Sequence, residues 1–221
     1  MPEYHAINPD TVWDHYFGEG GAKRAQKGGM NAKMFTSFID GTKSAIEMAA
    51  VSNATGLTPA PAGLSFPACA VEDLAGSMIP ETAGGILDHK GQVEVISSRR
   101  RNGNDVENDL RWGVYVTFHA PTDYVERCFA DYGLITDPSG QYSALWRPYH
   151  LIGLELGPSI ASAALLNLPT GAPDAFRSDV AATAKCDLQP GDVLDGEGGY
   201  MVWGRLMLAR DSLSLGAVPI G

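Results

Sequence analysis

Arg147, Tyr149 and His150 fall within four residues of one another, where a β-patterned stretch meets an apolar one. An Arg fork suits a carboxylate or phosphate, and a His moves protons near neutral pH. Pro148 tolerates the first turn of a helix, so residues 147–150 (RPYH) are expected to open a helix over 151–168. The amino end of such a helix would add its own attraction for anions. On the residues alone, a His and a Tyr capping core structure is an equal reading.

A second set lies in 31–57, which the apolar spacing predicts as one long helix closed by Gly56. At helical periodicity Phe35, Phe38, Ile46 and Ala49 share one side, while Lys33, Asp40, Lys43 and Glu47 gather in an arc of roughly 80° on the other. The Lys43 and Glu47 spacing allows contact within one face. That arc is either a solvated surface or the wall of a cleft with two cations and two carboxylates. A third set, His89-Lys90-Gly91, offers a cation beside a tight turn and reads more readily as an ordinary exposed loop. Asp40, Glu47 and Glu155 are the carboxylates to consider for a divalent metal, although no ligand-spaced motif singles them out. No GxSxG elbow occurs, so a Ser/His/Asp triad is not expected.

The elements that must position these groups follow from the chain's pattern. Asp10 is expected to cap a short helix over 14–17, and 18–29 is read as a Gly- and Lys-rich loop. Its GEGGAKR lacks the GxxxxGK[ST] spacing of a phosphate loop. A short helix over 71–79 should end at Pro80. Strands are expected at 92–97 and 110–118, joined through Asn102-Gly103 with the basic run 99–101 at the hairpin tip. A helix over 123–132 has Thr122 as cap and Gly133 as stop. Strands at 141–146 and 180–185 follow, then a turn at 187–194 between apolar anchors. The expected fold is α+β, with helices on a mainly antiparallel sheet.

Composition bounds the rest. The chain has 221 residues, 44% hydrophobic and 19% charged, enough for a real core. A net charge of −10 argues against nucleic acid or an anionic membrane as partner. The amino terminus lacks a signal-peptide pattern, and 151–168, with Glu155 and Pro158, reads as a buried core helix rather than a membrane span. Three scattered cysteines without a CxxC pair point to a reducing, cytoplasmic setting.

Four stretches carry a resemblance: 38–57 (FIDGTKSAIEMAAVSNATGL), 84–98 (GGILDHKGQVEVISS), 109–118 (DLRWGVYVTF) and 147–157 (RPYHLIGLELG). Together they resemble the homoserine-dehydrogenase-like NAD(P)-dependent oxidoreductases, which include reductoisomerase-like enzymes acting on 1-deoxy-D-xylulose 5-phosphate. The tail 179–200 is similar to the start of the SAF module that follows the catalytic domain in that family. The resemblance implies a Rossmann domain, a central catalytic and dimerisation domain, and a β-clip SAF domain. No GxGxxG occurs in this chain, so the backbone cradle for a dinucleotide pyrophosphate is not expected in it. The expected division is a substrate-binding and catalytic domain over 1–175 and a partial SAF-like β module over 176–221, with a Rossmann domain supplied from elsewhere, for instance by a separate chain.

What the resemblance implies for the site is substrate-anion clamping by Arg147 and Lys90, and proton transfer by His150 or Tyr149. Lys43 would polarise a carbonyl or hydroxyl, with Glu47 orienting it. The implied cofactor is NAD(P), bound mainly outside this chain, and a divalent metal is compatible with it. The implied partners are a small polar substrate, sugar phosphates among them, and a second copy in a homo-oligomer. Two other classes stay open: a non-redox ligand-binding module and a structural dimerisation module.

Overall fold

The computed structural model describes residues 2–17 and 20–220, with the side chains of Pro2, Glu3 and Phe17 left aside. In chain order the helices are α1 (Pro2–His5), α2 (Val12–Phe17), α3 (Gly21–Lys27), α4 (Ala32–Ile39), α5 (Thr42–Thr55), α6 (Leu74–Ser77), α7 (Asp123–Asp131), α8 (Leu156–Ala161) and α9 (Ala209–Leu215). The longer strands are β3 (Val114–His119), β4 (Tyr142–Arg147), β5 (Ser178–Ala184) and β6 (Val202–Leu208), after two-residue strands β1 (Thr58–Pro59) and β2 (Gln92–Val93). The fold is α+β, as expected. The chain forms two compact units, one of residues 1–65 with 173–221, the other of 66–172.

In the first unit, β5 and β6 pair antiparallel from Ser178↔Leu208 to Ala184↔Val202. Helix α5 lies on them through small residues: Thr42, Ala45, Ala49 and Ser52 are buried. Gly204 permits this approach, because a Cβ there would stand 2.7 Å from Val180 Cγ1 and 2.9 Å from Thr42 Cγ2. Its N–H donates to Thr42 Oγ1 at 2.8 Å. Asn53 Oδ1 accepts from the N–H groups of Arg177 (2.7 Å) and Ser178 (2.9 Å), which fixes where β5 begins. A separate apolar cluster of Ile7, Val12, Trp13 and Ala25 takes Phe35 and Ile39 from α4.

The single helix expected over 31–57 is two helices. Asn31 caps α4 by accepting from Met34 N–H, and α4 ends at Asp40. Gly41 takes φ +89°, a left-handed conformation that glycine adopts without a Cβ clash, and α5 restarts at Thr42. Asp40 Oδ1 accepts from Thr42 N–H at 2.9 Å. The predicted sides rotate with the break. Asp40 leaves the polar arc and is fully buried, while Phe38 and Ile46 are exposed.

Burying Asp40 requires a counter-charge. Lys185, at the end of β5, places Nζ 2.7 Å from Asp40 Oδ2, with side chains only 0% and 2% exposed for Asp40 and Lys185. The same ammonium donates to the carbonyls of Ile7 (2.7 Å) and Gly199 (2.9 Å). His5 Nδ1 bonds the Asp40 carbonyl at 2.9 Å, and its ring stacks on Trp203 at 3.7 Å.

In the second unit, Cys69, Leu74, Ala75, Met78, Leu87 and Ala144 form the core. β3 and β4 pair antiparallel from Val114↔Arg147 to His119↔Tyr142. Thr117 Oγ1 donates to the Met78 carbonyl at 2.8 Å, while Val114, Val116 and Leu145 are exposed. Thr122 caps α7 by accepting from Val125 N–H, and Gly133 follows its end at φ +69°, as expected. The Asn102-Gly103 turn closes between Arg99 and Asp105.

Other expectations change. Asn8 rather than Asp10 holds the turn before α2, since Asn8 Oδ1 accepts from the N–H groups of Asp10 and Thr11. The loop expected over 18–29 contains α3; Gly18 and Glu19 lie outside the described residues. The strand expected at 92–97 is regular only over Gln92–Val93, and the one at 110–118 begins at Val114, because Trp112 takes φ +78°. The anchors of the 187–194 turn, Leu188, Val193 and Leu194, are exposed. No helix among the described residues is long and apolar enough to cross a membrane. Residues 151–168 are not a buried helix: α8 spans only Leu156–Ala161, a π-helical turn follows over Ser162–Leu166, and the surface is exposed.

Removing one partner of the buried pair strands the other charge. Lys185→Met should destabilise the chain by about 3–5 kcal/mol in chemical denaturation. The double variant with Asp40→Leu should recover a large part of that loss.

Candidate functional site

Arg147 is the last residue of β4, opposite Val114 on β3. Close packing at Gly113 fixes this end of the ribbon, since a Cβ there would stand 2.5 Å from the Arg147 carbonyl oxygen. Pro148 ends the pairing, for it has no N–H to donate to the ladder. The chain then turns through 148–155, with Glu155 N–H donating to the Leu151 carbonyl at 3.1 Å and Gly153 at φ +79°.

That turn brings Glu155 back onto the predicted cluster. Its Oε1 makes a close ion pair with Arg147 Nη2. Its Oε2 lies 3.1 Å from His150 Nδ1 and accepts from Leu151 N–H at 2.9 Å. Arg147 Nε donates to the Tyr149 carbonyl at 3.1 Å, and its guanidinium stands 4.9 Å from the Tyr149 ring centroid, within cation–π range. The structure therefore brings Arg147, Tyr149 and His150 together, as expected, around a fourth residue. The helix does not open at Pro148 as expected but at Leu156, with Glu155 as its N-cap residue.

The geometry leaves two groups available. Among the described residues, Arg147 Nη1 and His150 Nε2 have no hydrogen-bond partner. Both side chains are half exposed. With Nδ1 facing a carboxylate, His150 can hold or release a proton at Nε2, while Arg147 Nη1 can donate to an anionic oxygen. The Glu155 carboxyl is held below the usual carboxylate range, first by the Leu151 N–H, then by the Arg147 charge and the His150 contact.

Lys43 Nζ lies 3.8 Å from Glu47 Oε1 on α5 and 5.4 Å from the Phe38 ring, in the first compact unit. Such a partly exposed pair contributes little to stability, about 0.3–0.5 kcal/mol. Lys90 is exposed beside Gly91, which takes φ +79°. Each carboxylate considered for a metal has a cationic partner: Asp40 pairs with Lys185, Glu47 with Lys43, and Glu155 with Arg147 and His150. Among the described residues no group of three His, Cys, Asp or Glu is arranged to hold a metal ion. Cys69 is no nucleophile, because burial and the charges of Asp73 and Glu72 push its thiol up to about 11.

Glu155 is the residue that spacing did not assign to this cluster. Its five-residue separation from His150 fits no helical face, so only the observed turn brings the two together.

A family model described as oxidoreductase DRL, catalytic domain, matches residues 1–156 of the chain. That span contains Arg147, Tyr149, His150 and Glu155, and it ends just inside α8. No curated protein matches the chain.

The depressed Glu155 carboxyl sets the sign of a pH effect. Its ordinary value is 4.5, and the folded value is lower. The stabilisation of the cluster is therefore complete above 4.5 and is lost as pH falls through the folded value. The carboxyl carbon of Glu155 should titrate by NMR with a midpoint below 4.5. Arg147→Ala should move that midpoint only part of the way back, because the Leu151 N–H remains.

Proposed function

We propose, from the premise that the chain belongs to the oxidoreductase DRL catalytic-domain family, that it is the substrate-gripping part of an NAD(P)-dependent oxidoreductase. Its substrate is a small polar molecule, with a sugar phosphate as the leading candidate. The observation that carries this reading is the Glu155-centred cluster, which holds Arg147 and His150 side by side within the matched span.

In this reading Arg147 Nη1 donates to a phosphate or carboxylate oxygen of the substrate. Its Nη2 stays on Glu155, so the fork does not swing when the anion binds. His150 Nε2 takes or gives the proton at the substrate oxygen that changes between hydroxyl and carbonyl. The ring of Tyr149 keeps the guanidinium plane oriented through its cation–π contact. Lys90 supplies a second cation for the substrate anion.

The residues present do not fit a dinucleotide pyrophosphate. The sequence contains no GxGxxG, and the described part of 18–29 forms α3 with its N-cap glycine and no preceding strand. Reducing power accordingly comes from a nicotinamide dinucleotide held by a Rossmann domain outside these residues. The reading of 176–221 as a partial SAF-like module beside a 1–175 catalytic part belongs to the same proposal as a division along the sequence; in space, 173–221 form one compact unit with 1–65.

Calorimetric titration tests this. The purified chain should bind a pentulose phosphate, and Arg147→Ala should weaken that binding about 10- to 100-fold, the scale of a lost charge-assisted contact. In an enzyme completed with a dinucleotide-binding domain, His150→Ala should lower kcat about 10²- to 10⁴-fold while sparing substrate affinity. Tight NADPH binding and its oxidation by the purified chain alone would overturn the division of labour. Unchanged affinity in Arg147→Ala would overturn the substrate site.

A further inference from the structure

Glu155 decides which ring nitrogen of His150 carries the proton. Its Oε2 stands 3.1 Å from His150 Nδ1 and already accepts from Leu151 N–H at 2.9 Å. Its Oε1 is paired with Arg147 Nη2. The Leu151 N–H and the Arg147 charge hold the carboxyl below the usual carboxylate range, so at neutral pH it is ionised. An ionised carboxylate can only accept hydrogen bonds. The proton between Nδ1 and Oε2 therefore belongs to Nδ1.

An imidazole alone in water favours the opposite form, with the neutral ring protonated at Nε2. The hydrogen bond made by one ring nitrogen sets the tautomer, and a charge-assisted bond tilts the ratio of the two forms on the order of tenfold. Neighbouring donors do not compete for Nδ1. The Leu151 N–H is committed to Oε2, Arg147 Nη2 to Oε1, and Arg147 Nε to the Tyr149 carbonyl. Among the described residues Glu155 is the charged group paired with the ring, and Arg147 meets the same carboxylate.

The consequence falls on the free side of the ring. Held in this form, a neutral His150 shows a lone pair at Nε2, which has no hydrogen-bond partner among the described residues. A lone pair accepts from a hydroxyl and offers nothing to a carbonyl oxygen. Only the charged ring, protonated on both nitrogens, donates to a carbonyl. When Nε2 does take a hydroxyl proton, Nδ1 keeps its own, and the imidazolium that forms already has the Glu155 carboxylate beside it.

We infer that Glu155 is a positioning residue that fixes His150 as the Nδ1–H tautomer, so that the neutral site selects the alcohol form of the substrate over its carbonyl form. The tautomer stands on the geometry of the turn. The choice of ligand rests in addition on the proposed function, in which His150 meets the reacting oxygen, and the two are tested by separate readouts.

Long-range ¹H–¹⁵N NMR correlations within the ring distinguish a protonated nitrogen from a bare one. At about pH 8.5, where an ordinary imidazole is neutral, His150 should show a protonated Nδ1 and a bare Nε2. His150→Gln identifies its signals by their loss. Arg147→Ala leaves the carboxylate in place and should leave this pattern unchanged. Glu155→Ala, with its fold checked by circular dichroism, should return the proton to Nε2. The wild-type spectrum decides by itself: a ring protonated at Nε2 would overturn the tautomer, as would a Glu155→Ala ring still protonated at Nδ1. Calorimetry at the same pH should favour a pentitol phosphate over the pentulose phosphate of the same skeleton by about 3- to 10-fold, the scale of one hydrogen bond. His150→Ala should abolish that preference. A protonated Nδ1 without the preference would uphold the tautomer but overturn selection of the alcohol form, and with it the place of His150 at the reacting oxygen.

Discussion

The first compact unit is held by one ammonium group. Lys185 Nζ reaches Asp40 at the α4–α5 junction, Ile7 near the amino terminus, and Gly199 before β6. Three segments remote in sequence therefore converge on a single buried charge. Taking Lys185 out of water costs several kcal/mol before any partner is counted, and only a complete set of acceptors offsets that cost. The kink at Asp40-Gly41, the inward carboxylate and the position of the β5 end follow from meeting this demand together. The small-residue face of α5 then reaches the β5–β6 pair, with Gly204 leaving room for it.

The second unit uses charge differently. Glu155 gathers Arg147 and His150 where all three side chains keep contact with water. Such contacts contribute little to folding, because solvent screens them. Their value is positional: a carboxylate that accepts from a backbone N–H, a guanidinium and an imidazole holds both cationic side chains in one geometry. The remaining nitrogens, Arg147 Nη1 and His150 Nε2, are thereby presented without a rotamer search, which is what recognition of a small anion requires. A buried pair that fixes a fold and a half-exposed trio that can meet a ligand thus occupy different units.

The exposed apolar stretch after Glu155 gives the second unit a further property. A helix that is apolar on every side needs covering on more than one side. The match to the oxidoreductase DRL catalytic domain ends at residue 156, where that stretch begins to wind into α8. The Glu155-centred turn and the apolar surface are consecutive in the chain, so whatever covers the one borders the other.

The α+β class, α7 with its Thr122 cap, the Asn102-Gly103 turn and the strands at β4 and β5 were legible in sequence, because each carries a local signal: a cap, a turn dipeptide or a β-patterned run. So was the proximity of Arg147, Tyr149 and His150, and the i,i+4 pairing of Lys43 with Glu47. The break of 31–57 into two helices had its sign in Asp40-Gly41, but helical periodicity on both sides masked it. What only the tertiary structure decided is where the charges go. Asp40 is buried because Lys185 stands 145 positions later to receive it, and Glu155 reaches His150 because Pro148 ends a strand and the chain doubles back. Apolar composition made 151–168 look like core. Burial, however, depends on what packs against a segment, and no local pattern encodes that.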